Sequence, residues 1–172
     1  MRTLWTKDKK WVLLSCAITL VFVIYGAWNM YHLTSSQWHD RAFKGLYKNY
    51  GSQARILLFA VLAYYILKTL LQKRWMSQGS LLKKGAIFLT GIMRKWHSPL
   101  AILAIGLIAL HIIGAFLYEF KIDFAHISGL AAGVVLLPVP IAGVFRYRGL
   151  DRKWHMRFGL IFAILFLIHA FL

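Results

Sequence analysis

Acidic side chains are scarce in this sequence: 5 Asp+Glu stand against 21 Lys+Arg in 172 residues, a formal net charge of +16. Cysteine is scarcer still. Cys16 stands alone, which excludes a disulfide framework, a CxxC redox pair and covalent cofactor attachment through CxxCH. Charge of either sign is low, at 15% of residues, while 60% are hydrophobic and mean hydropathy is +0.62. A soluble domain is nearer half apolar and a quarter charged, so that class is excluded. The basic excess does not point to nucleic acid, because the cations lie between long apolar runs and read as membrane topology signals.

Five apolar runs are long enough to span a bilayer as helices, at about 11–31, 55–72, 98–118, 126–146 and 156–172. They do not alternate, so closed-barrel strands are excluded, and helices are the remaining way to satisfy backbone polar groups in lipid. The expected fold is all-α, one integral membrane bundle of five transmembrane helices covering 1–172. The first run follows a basic segment but is too long for a signal-peptide core and has no A-x-A site, so it reads as a retained span. Its Leu-Leu-Ser-Cys16 faintly resembles a lipoprotein box, but the apolar run continues well beyond it. Pro99 is expected in a first helical turn, Pro138 and Pro140 are expected to kink the fourth span, and 37–49 is expected to lie along the interface. With the N-terminus inside, sixteen Lys/Arg fall on the inner side and five on the outer. That bias predicts N-terminus inside and C-terminus outside, in a cell membrane of the bacterial plasma-membrane type.

An internal repeat carries the functional reading. Arg-Lys-Trp-His occurs at 94–97 and again at 152–155, each time opening an apolar span. Fourteen residues beyond each histidine comes another: His97 then His111, and His155 then His169. At about 100° per residue, fourteen steps fall about 40° short of four turns, so both imidazoles share a face about 21 Å apart along the axis. The third and fifth spans run in the same direction, so His97 and His155 are expected at one depth near the inside. His111 and His169 are expected at one depth toward the outside. Each pair would clamp a flat ligand, and haem, whose iron takes axial ligands on both faces, is the natural candidate. Without CxxCH the haem would be of the b type, so the expected cofactors are two haem b with bis-histidine iron ligation.

Arg94, Lys95, Arg152, Lys153 and Arg157 cluster by the inner histidines, where they would neutralise propionates. They serve equally as a positive-inside anchor, with Trp96 and Trp154 at headgroup level. Ala101, Ala104, Gly106, Ala109, Gly114, Gly159 and Ala163 leave room for a large ring or for close helix packing. His126 reads as an interfacial cap, as a contact to the outer haem, or as a replacement ligand. His32 and His39 read as surface residues or as a metal or acceptor site. Glu119 and Asp123 follow from topology.

Paired H-x13-H histidines on two parallel spans resemble the haem core of ferric reductase-like transmembrane domains, with a similar arrangement in cytochrome b of the quinol-oxidising complexes. The resemblance covers mainly 94–172. It implies that His97, His111, His155 and His169 are axial ligands and that two stacked haems carry electrons across the membrane, an oxidoreductase-type role. The chain has no GxGxxG and no soluble region for a dinucleotide. A partner must therefore load it, either a cytoplasmic flavoprotein or membrane quinol. The external acceptor would be ferric iron, dioxygen, a quinone or a redox protein. Two alternatives remain open at this point. A histidine-lined proton or metal transporter would need polar residues between the histidines, yet 98–110 offers only Ser98 and 156–168 only Arg157. A haem-free anchor subunit of a redox complex is the other.

Overall fold

The computed structural model describes residues 2–73, 80–147 and 153–172, with side chains described over 9–73, 80–145 and 153–172. Of the described residues 91% are helical, and no strand occurs among them. The described residues form seven helices, in order α1 (Arg2–Tyr31), α2 (Ser35–Trp38), α3 (Arg41–Gln72), α4 (Leu81–Tyr118), α5 (Phe124–Leu136), α6 (Pro138–Tyr147) and α7 (Lys153–Phe171). Five segments are long and apolar enough to cross a membrane: Lys9–Tyr31, Arg41–Gln72, Leu81–Tyr118, Phe124–Phe145 and Lys153–Phe171. Large apolar side chains such as Val21, Ile24, Ile56 and Leu160 are more than half exposed. Apolar exposure on that scale suits lipid and not water, and the chain is a multi-pass, all-α membrane protein.

Two expected helix starts move. Asp40 caps α3, its carboxylate accepting the Arg41 N–H at 2.6 Å. From there the helix runs unbroken for 32 residues, so 41–49 belongs to the second span's helix and is not a separate interfacial segment. Ser80 caps α4 through Lys83 N–H at 3.2 Å. Pro99 therefore lies inside α4, not in a first turn, and removes the bond to the Lys95 carbonyl. At about 1.5 Å per residue α3 and α4 exceed the roughly 30 Å hydrocarbon core.

In the fourth span, where Pro138 and Pro140 are expected to kink the helix, the hydrogen-bond ladder changes at Pro138. Pro138 has no N–H for the Val134 carbonyl, which instead accepts from Leu137 N at 3.3 Å, and the helix is interrupted at Leu137 between α5 and α6.

The chain divides into two compact units, Met1–Glu119 and Phe120–Leu172. In the first, α4 packs against α3 and α1. Small residues bring these helices close: Leu110 fills the space at Gly26, Thr19 that at Gly106, and Tyr47 that at Gly114. Gly106 and Gly114 thus serve helix packing, and the room expected there for a large ring is filled by side chains. Met30, Phe43, Tyr47 and Leu110 form a buried cluster at the end where α1 turns into α3. In the second unit, α7 packs against α5 and α6.

Candidate functional site

The four repeat histidines divide evenly between the units. His97 and His111 lie on α4 of the first, and His155 and His169 on α7 of the second, all partly buried.

The His111 Nδ1 lies 2.9 Å from the Tyr47 carbonyl oxygen on α3. A carbonyl only accepts, so Nδ1 carries the proton and Nε2 carries the lone pair. The His155 Nδ1 makes the same bond to the Val139 carbonyl on α6, at 3.0 Å. His169 reaches a carbonyl through a hydroxyl. Ser128 Oγ donates to the Ala125 carbonyl at 3.1 Å and lies 3.3 Å from His169 Nδ1. His111 and His155 therefore share one tautomer, set by a carbonyl on a neighbouring helix, while His169 Nδ1 meets a hydroxyl there. In a haem or metal ligand this outer hydrogen bond fixes the ring's orientation and raises its basicity.

Each of these histidines faces a glycine, four residues beyond the carbonyl it addresses. His111 packs on Gly51, His169 on Gly129 and His155 on Gly143. The corresponding carbonyls are those of Tyr47, Ala125 and Val139. A helical carbonyl points toward residue i+4, so a side chain there would stand between it and an outside donor. Glycine leaves the notch open. A Cβ at Gly51 would lie 2.8 Å from His111 Nδ1, and one at Gly129 would lie 2.7 Å from His169 Cε1. At Gly143 the distance to His155 Nδ1 is an ordinary 3.4 Å.

The register is as regular as the histidine repeat. Gly129 and Gly143 are fourteen residues apart on the strand of helix antiparallel to α7, matching His169 and His155. On α3, fourteen residues past Gly51 lies Tyr65, and the His97 ring meets it at 5.7 Å and Tyr64 at 5.4 Å. His97 thus occupies the same register but rests against two phenol rings where the other three have a glycine. These glycines and acceptors are the site residues that sequence reasoning missed. The fourteen-residue spacing of Gly129 and Gly143 was the available signal.

The described basic residues of the repeat lie exposed within their own units. Arg94 and Lys95 are exposed, and Trp96 beside them packs on Trp11 at 5.8 Å. Lys153 is exposed, and the Arg157 guanidinium lies 5.3 Å over the Trp154 ring. Arg152 lies outside the described residues.

His126 is the third residue of α5 and part of its cap. Asp123 accepts its backbone N–H at 2.8 Å and its Nδ1–H at 2.7 Å. Those two bonds, the backbone one foremost, hold the Asp123 carboxyl below the ordinary carboxylate range. His32 and His39 are exposed, with Nδ1 on the carbonyls of Trp28 at 2.9 Å and Ser35 at 2.8 Å.

Comparison with known protein families, curated proteins and solved structures gives no match to this chain.

Proposed function

We propose that this protein moves electrons across a membrane through two b haems, in the manner of the ferric reductase-like membrane cytochromes that its histidine spacing resembles. His97 and His155 would hold one haem, and His111 and His169 the other. The observation that carries the reading is the shared Nδ1–H tautomer of His111 and His155, each directed by a carbonyl on a neighbouring helix. That tautomer puts the lone pair on Nε2, the nitrogen an axial ligand presents to iron. Haem supplies one-electron chemistry when bound, and bis-histidine ligation disfavours binding of small molecules at the iron. The chain's own contribution would be to hold the imidazoles, to surround them with apolar side chains, and to supply Arg94, Lys95, Lys153 and Arg157 as a cationic rim that would raise the inner potential. The donor would be a cytoplasmic flavoprotein or quinol, and the acceptor an external oxidant. The membrane would be a bacterial-type plasma membrane.

Visible absorption of the purified protein tests this directly. Paired low-spin haem bands are expected, with about two haems per chain by pyridine hemochrome, one for each histidine pair. A colourless protein rejects the reading, and histidine-dependent proton or metal flux would then support a transporter.

The charge bias makes a separate prediction. A protease-sensitive tag placed after Leu172 is expected to be cleaved from outside in intact cells. Protection there, with cleavage only after lysis, would reverse the proposed direction of electron flow.

A further inference from the structure

We infer that the α1–α3 turn around His39 is an electron port for a negatively charged one-electron acceptor, an inference that rests on the haem reading above. Four rings lead from the membrane interior to this surface. His111 donates to the Tyr47 carbonyl, and the two rings lie 5.8 Å apart, centroid to centroid. Tyr47 lies 5.7 Å from Tyr118, and Tyr118 lies 6.2 Å from His39. These spacings fall within the range of aromatic contact. Electronic coupling falls off more slowly through bonded atoms and contacting π systems than across gaps, and this route has both. It is continuous from an axial-ligand candidate to an exposed imidazole.

The route is held firmly along its length. Tyr47 is buried with Met30, Phe43 and Leu110, and Trp38 and Tyr118 pack on that cluster. The turn bearing His39 is tied to α1 by Trp38 Nε1–H, which donates to the Met30 carbonyl at 2.8 Å. His39 is itself oriented by its bond to the Ser35 carbonyl, which puts the lone pair on Nε2.

Charge selects the acceptor. Lys44 Nζ lies 5.1 Å over the Tyr118 ring. Exposed Arg41 and Lys48 stand three residues before Lys44 and four after it, on the same helix face. Of the nearby carboxylates, Asp40 is engaged in capping α3 and Glu119 closes α4 beside Tyr118, against the three cations Arg41, Lys44 and Lys48. A basic mouth of this kind attracts anions and raises their encounter rate. With a reduced haem bound, for which His111 would be a ligand, one electron would pass in each event from that haem to the acceptor, the one being oxidised and the other reduced by one unit. Tyr47, Tyr118 and His39 are not oxidised in passing, and no proton is transferred.

The test uses haem-loaded protein in nanodiscs, reduced with dithionite and mixed in a stopped-flow instrument with ferricyanide or with a cationic cobalt(III) complex. Ferricyanide oxidation is expected to slow several-fold as salt rises and the Debye length shrinks from about 30 Å to about 8 Å. Lys44→Gln is expected to slow ferricyanide without slowing the cation. Tyr118→Leu and His39→Ala are expected to slow both oxidants, while Tyr118→Phe, which keeps the ring, retains the wild-type rate. Unchanged rates in Tyr118→Leu and His39→Ala, with haem bands intact, would overturn the port. Absent bands in the wild type would instead overturn the haem assignment on which it rests.

Discussion

If the protein holds two haems as proposed, alanine at His169 or at His111 is expected to remove roughly one of them while the other stays bound, as each histidine pair would form a separate site. The expectation follows from spacing. Fourteen helical residues separate the two levels by about 21 Å, and sites that far apart without shared partners respond independently. The outer level should lose its low-spin band, and the inner one, held by His97 and His155, should keep its own. His97→Ala and His155→Ala are expected to show the reverse. The His111 variant is also expected to fold. The Tyr47 carbonyl that His111 addresses lies inside α3, where its own helix supplies a donor from position 51. No buried acceptor is stranded when the imidazole goes. Loss of both haems in equal measure from every single variant, read by pyridine hemochrome and redox titration, would count against two sites.

The glycine notches yield the second large effect, and a graded one. Gly51→Ala would set a methyl group 2.8 Å from His111 Nδ1 and 3.0 Å from its Cε1. Gly129→Ala would set one 2.7 Å from His169 Cε1. Either ring must turn, and the bond at Nδ1 is lost with the turn. Overpacking of this kind costs about 1–3 kcal/mol. Both substitutions are expected to weaken haem retention and shift the potential at the outer level alone. Gly143→Ala is the control. Its methyl would meet His155 at 3.4 Å and 3.5 Å, ordinary contact, and alanine in a helix gains about 0.5–1 kcal/mol over glycine. It is expected to be neutral or slightly stabilising, with the inner potential unchanged. Equal effects from all three, in thermal stability and in redox titration, would show that the glycines act only in helix packing.

Much of this arrangement was legible in the chain. The five spans follow from uninterrupted apolar runs, and the break at Leu137 follows from Pro138, whose missing N–H acts within one turn. The shared face of His97 and His111, and of His155 and His169, follows from the helical period. What escaped notice depends on partners far along the chain. Pro99 looked like a helix start because an apolar run begins beside it, yet α4 begins at the Ser80 cap and carries Leu81–Arg94 as helix before the proline. The stretch 37–49 looked separate because its charges interrupt the apolar pattern, although the Asp40 cap starts a helix that runs through them. Gly106 and Gly114 read equally as room for a ring or as close helix packing, and Thr19 and Tyr47 fill the space there as packing does.

Local sequence alone determined that this is an all-helical membrane protein with histidines recurring on one face of two spans, because hydrophobic run length and the 3.6-residue period are properties of a single helix. Only the tertiary structure decided which acceptor meets each imidazole. Tyr47 lies sixty-four residues from His111, and the register that brings them together is set by side chains interlocking between helices, which no one helix encodes.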